Sequence, residues 1–109
     1  MVFVERHGNT VVITPRCDLD IASREMFSAA IVSAAKASAG PIVVSLLHCQ
    51  YVDSTALYAI AKAHRSLGSR ISLVIAPGAH IARIFEIAGF DKFIAMHPSL
   101  DAVAAFTAS

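Results

Sequence analysis

The sequence predicts an α/β domain: a small mixed β-sheet of about five strands with about four helices packed mainly on one face. Three observations carry that expectation. Two apolar runs, Ile42 to Leu47 and Ile71 to Ile75, are broken only by Ser45 and Ser72 and suit strands buried on both faces of a sheet. A stretch of helical period joins them, and a helical crossover makes the strands it connects parallel. Near the start, His7-Gly8-Asn9 separates two shorter strand-like runs and adds an antiparallel hairpin.

Element by element, Val2 to Glu5 and Thr10 to Thr14 are the hairpin strands. From Ile21 to about Ala37 the chain is Ala-rich, with Phe27, Ala30, Ile31 and Ala34 on one stripe of a helix that Gly40-Pro41 ends. Ile42 to Leu47 is the central strand. A second helix starts near Ser54, turns Leu57, Ile60, Ala61, His64 and Leu67 inward, and stops at Gly68. Arg70 to Ala76 is the next buried strand. Pro77-Gly78 turns into a helix carrying Ile81, Ile84, Phe85 and Ala88, ended by Gly89. Lys92 to Met96 reads as an edge strand and Ser99 to Phe106 as a last helix. No repeat, low-complexity tract or linker interrupts this β-β-α-β-α-β-α-β-α order. A chain of 109 residues is expected to form one domain, residues 1–109.

Composition excludes several functions. Nine Lys and Arg against eight Asp and Glu give a net charge of +1 with no basic run, which argues against nucleic acid. With 56% hydrophobic and 16% charged residues, the surface is expected to carry an apolar contact patch. No uncharged apolar run reaches the ~20 residues that span a bilayer, so no membrane insertion is expected. Val2-Phe3-Val4 followed by charge does not read as a signal peptide, and a cytoplasmic location is expected. His7, His48, His64, His80 and His97 are scattered without ligand spacing, so neither a metal nor another cofactor is expected. Pro77-Gly78 lacks the Lys-Ser/Thr sequel of a phosphate loop, and no G-x-S-x-G elbow surrounds Ser54. The chain reads as a binding protein, not an enzyme. Cys17 and Cys49 each follow a strand and are expected to be neighbours with reduced thiols, redox control being the lesser alternative.

The segment Tyr51-Val52-Asp53-Ser54-Thr55-Ala56-Leu57 joins the central strand to the second helix. Asp53 is a good N-cap, and Ser54 then lies exposed in the first turn, at the positive end of the helix dipole. A phosphate is well tolerated there, so hydroxyl, helix start and acid together read as a phosphorylation switch at Ser54, with Thr55 the runner-up. On spacing alone the pattern also fits an ordinary capped helix. Outward on the same helix, Ser54, Tyr58, Lys62 and Arg65 form a ladder at i, i+4, i+8 and i+11, a candidate docking stripe with an aromatic anchor. For Lys62 and Arg65 a merely solvated helix face is equally consistent.

This segment resembles the core signature of the STAS domain, in the form of the single-domain bacterial anti-sigma factor antagonist. Val52-Asp53-Ser54-Thr55-Ala56-Leu57 matches the family's apolar-Asp-Ser-Ser/Thr-Gly-Leu, and Cys17-Asp18-Leu19-Asp20 its Gly-Glu-Leu-Asp-like turn. The run from Ile84 to Phe93 is similar to its apolar helix, Gly stop and short final strand. Ala56 departs from the usual Gly and favours helix, Tyr58 stands where a small residue is common, and Cys17 replaces a turn Gly. The resemblance implies phosphorylation of Ser54, with Asp20 and Asp53 as neighbours that modulate the phosphosite. It also implies partners: an anti-sigma factor of the histidine-kinase-like ATPase type, acting as a serine kinase with ATP and Mg²⁺, and a phosphatase that resets the switch. The unmodified form would bind the anti-sigma factor and free a sigma factor. Two other STAS roles stay open: an adaptor subunit of a membrane lipid-transport or transporter complex, and a small-molecule or nucleotide-binding module with a pocket beside Ser54.

Overall fold

A left-handed φ of 63° at Gly8, with no positive φ at Asn9, closes a two-residue hairpin loop. The loop joins β1 (Val2–His7) to β2 (Thr10–Pro15), paired antiparallel from Val2↔Pro15 to His7↔Thr10. In this computed structural model, which describes residues 2–16 and 21–103, there follow α1 (Ile21–Ala37), β3 (Ile42–Ser45) and α2 (Ser54–Leu67). β4 (Ile71–Val74), α3 (His80–Ile87) and β5 (Ala95–His97) complete the sheet layer, and residues 100–103 are helical. The Cys17-Asp18-Leu19-Asp20 turn and the expected continuation of the last helix to Phe106 lie outside the described residues.

The five strands form one mixed sheet in the order β1-β2-β3-β4-β5. β2, β3, β4 and β5 are parallel neighbours, with Val11↔Ile42, Ile42↔Ile71 and Ser72↔Ala95 in register. The expected pairing of the two apolar runs is therefore present: β3 and β4 are adjacent, parallel and buried at every position.

Alternation along each strand divides the core into two layers. On one face Val11, Ile13, Ile42, Val44, Ile71 and Leu73 meet Phe27 and Ile31 of α1, Ala56 and Ile60 of α2, and Ile81 and Phe85 of α3. On the other, Val12, Val43 and Val74 pack against Val103 from the helical residues 100–103. Three helices thus cover one face and the last covers the other. Each large aliphatic or aromatic side chain so enclosed stabilises the fold by about 1.5–3 kcal/mol.

Two expected strand ends are corrected. β3 stops at Ser45: the Leu46 amide still reaches Val74 O at 2.8 Å, but the Cys49 amide bonds back to Leu46 O at 3.2 Å, turning the chain and exposing Leu47. The Lys92 to Met96 strand is displaced to Ala95–His97. Gly89, at φ 81°, ends α3 and opens a 3₁₀ turn over Phe90–Lys92, where the Phe93 and Ile94 amides both bond to Phe90 O. Phe90 is held there by Phe85 and Phe93, with ring centroids 5.2 and 5.0 Å away.

The end of the sheet where the parallel strands begin is strapped by polar contacts. Arg70, just before β4, donates Nη2 to Ser38 O at 2.6 Å and Nε to Gly40 O at 3.2 Å. Ser38 is buried; its Oγ accepts the Gly40 amide and donates to Asn9 O. A Cβ on Gly40 would sit 2.0 Å from the Asn9 carbonyl oxygen, so only glycine allows the α1–β3 loop to lie on the hairpin.

Candidate functional site

At the opposite end, residues 46–53 leave β3 and turn into α2. Val52 and Cys49 are buried and hold this loop down, the Cys49 thiol donating weakly to Pro15 O at 3.6 Å. Asp53 follows with extended backbone (φ −86°, ψ 175°) and caps α2: its Oδ1 accepts the Ala56 amide at 2.9 Å and its carbonyl the Leu57 amide at 3.1 Å. The same Oδ1 accepts the Thr55 hydroxyl at 2.6 Å. Thr55 is therefore half-buried and engaged. Ser54, the first residue of α2, is exposed, and its hydroxyl forms no hydrogen bond among the described residues. Two adjacent hydroxyls thus differ in availability, because one points back at the cap and the other outward at the positive end of the helix dipole.

The outer face of α2 continues from Ser54 through Tyr58, which is 60% exposed, to Lys62 and Arg65, both exposed. The inner face is centred on Ala56 and Ile60, both fully buried, while Leu57, Ala61, His64 and Leu67 are only partly covered. The inward stripe is thus rotated from the one the sequence suggested. Ala56 is the fully buried residue of the first turn, while Leu57, Ala61 and Leu67 pack against the same core as expected but stay partly exposed. Asp20, expected as a second acid near Ser54, and Cys17, expected near Cys49, lie outside the described residues.

Two lining residues, Ser28 and Ala59, were not foreseen. Ser28 of α1 joins Ser54, Thr55, Tyr58, Ala59 and Lys62 around an open groove of about 340 Å³ between the two helices. Nothing marks Ser28 in the sequence beyond its place next to Phe27. His48 is exposed on the β3–α2 loop, and no group of three or more His, Cys, Asp or Glu side chains gathers among the described residues. No helix among them is long and apolar enough to cross a membrane.

A family model for the STAS domain matches residues 2–103. The chain belongs to the STAS domain family. No match is found among curated proteins. Among solved structures this STAS domain is similar to an anti-sigma factor antagonist from Mycobacterium paratuberculosis, at 22% identity and a TM-score of 0.90, over 100% of this chain and 94% of that one. It is similar to a putative anti-sigma factor antagonist from Thermotoga maritima, at 16% identity and a TM-score of 0.88, over 99% and 95% of the two chains. The anti-sigma factor antagonist SpoIIAA in its unphosphorylated form aligns at 19% identity and a TM-score of 0.71, over 96% and 94%. At these identities the likeness is one of fold. In this STAS domain the β3–α2 junction combines an available hydroxyl, an acidic cap and an exposed aromatic side chain.

Proposed function

We propose that this STAS domain, acting as a single unit, is an anti-sigma factor antagonist switched by phosphorylation at Ser54. In the unmodified state it binds an anti-sigma factor of the histidine-kinase-like ATPase type in the cytoplasm and frees a sigma factor. That partner phosphorylates Ser54 and is thereby released, and a phosphatase restores the hydroxyl. The domain itself performs no catalysis. Tyr58, Lys62 and Arg65 are the docking residues, and Asp53, with Asp20, tunes the phosphosite.

The observation that carries this reading is the contrast between the exposed Ser54 hydroxyl and the Thr55 hydroxyl tied to Asp53. A phosphate adds about 1.5–2 negative charges. The first turn of α2, which has no acidic side chain, tolerates that charge within the domain. Against a partner fitted to a neutral hydroxyl, the same charge brings repulsion and desolvation. Family membership and fold likeness to anti-sigma factor antagonists support the same assignment.

The test is titration of unmodified, phosphorylated and Ser54→Asp protein against the purified anti-sigma partner. Ser54→Asp is expected to fold normally and to bind at least tenfold more weakly, about 1.4 kcal/mol. Ser54→Ala is expected to bind like the unmodified protein and to accept no phosphate. Equal affinity in all forms would leave a STAS adaptor without a switch.

A further inference from the structure

Beyond Ser28 and Ala59, the groove beside Ser54 does not close. Ser28, Ala59 and Lys62 also line a second cavity of about 330 Å³ that runs on between α1 and α2. Its apolar lining includes Ile31, Val32, Ala35, Ala63 and Leu67, and Val32 is 52% exposed. From Thr55 to Leu67 the two cavities follow α2 for about 18 Å at the rise of an α-helix. Lys36 stands on the α1 wall and Lys62 on the α2 wall, and no carboxylate lines either cavity. Over its whole length α2 contains no acidic residue.

We propose that this groove takes an acidic amphipathic helix of the anti-sigma partner, an inference that rests on the function proposed above. A concave apolar strip between basic walls is complementary to a helix whose apolar stripe is flanked by Asp and Glu. A second copy of this chain fits poorly, because its own α1–α2 walls are equally basic and its α3 offers Glu86 beside His80 and Arg83. A lipid surface would touch the rim and miss the recessed lining. Ser54 stands at the mouth of the groove and lines the same cavity as Lys62, so a phosphate there offsets that lysine's charge and repels the acidic occupant. Groove and switch then act on one segment of the partner.

The probe is a synthetic helical peptide of about four turns, with leucines along one stripe flanked by glutamates. It is titrated into ¹⁵N-labelled full-length protein by calorimetry and amide chemical shifts. A control peptide carries lysines in place of the glutamates. The acidic peptide is expected to bind and to shift amides of α1 and α2. Lys36→Glu and Lys62→Glu should each weaken it about threefold or more, the range of an exposed ion pair, and the double variant should prefer the basic control. Ser54→Asp should also weaken it. Equal binding of both peptides, shifts confined elsewhere, no binding, or capture of anionic phosphatidylglycerol vesicles in place of the peptide would overturn the inference. The purified partner separates this failure from that of the function. If the partner distinguishes Ser54→Asp yet ignores Lys36→Glu, the groove assignment falls and the switch stands. If the acidic peptide binds and the partner does not, the proposed function falls, and with it the assignment of the groove to that partner.

Discussion

The two ends of the parallel sheet are built on opposite terms. Where the strands begin, Arg70, Ser38, Gly40 and Asn9 satisfy one another's polar groups, and the backbones approach until a single methyl would collide. Where β3 runs into α2, a capped helix start presents a serine and a tyrosine to solvent. Close packing is thus concentrated at the end away from the Asp53 cap. At the other end the Ser54 side chain is exposed, so a charge added there is expected to leave the fold intact.

Substitutions at the two ends should therefore fall into two classes. Gly40→Ala at the strapped end has the largest expected cost, about 3 kcal/mol of stability, since its methyl must displace the Asn9 backbone. Urea unfolding measures it, and a loss below ~1 kcal/mol would mean that the strap yields freely. Arg70→Ala removes two donors to main-chain carbonyls and should cost about 2 kcal/mol. Crossing to the open end, Asp53→Ala should cost only about 1 kcal/mol, the worth of an N-cap, and should also release the Thr55 hydroxyl. Tyr58→Ala should change stability by less than about 0.5 kcal/mol. Its effect should appear in partner titration, as about 2 kcal/mol of lost binding. If Tyr58→Ala unfolds the domain, the ring is part of the core and the contrast between the ends fails.

What could be read from the sequence follows the same division between local and long-range causes. β3 and β4 were legible because their apolar runs are nearly unbroken, and α1 because Phe27, Ile31 and Ala34 repeat at helical spacing. Asp53 was legible as a cap because capping needs only a short side chain within three residues. β5 was misplaced because Phe93-Ile94-Ala95-Met96 is an apolar run of strand length, whereas burial of Phe90 against Phe85 draws residues 90–94 into a turn. That contact joins two elements and leaves no local signature. Ala56 and Ser28 escaped for a related reason: their roles depend on how near α2 lies to the sheet and to α1, distances that no periodicity encodes.

The spatial order of the strands is also their order in the chain. A ribosome delivers such a sheet one edge at a time, each new strand docking beside the one made just before it, with no waiting place to be filled later. Of the described residues, the helical stretch 100–103 is made last, and its Val103 packs on Val12, Val43 and Val74. Throughout most of synthesis, and in any chain truncated before that residue, those three valines form a bare apolar strip on an otherwise assembled sheet. Such a fragment would be sticky despite having every strand in place.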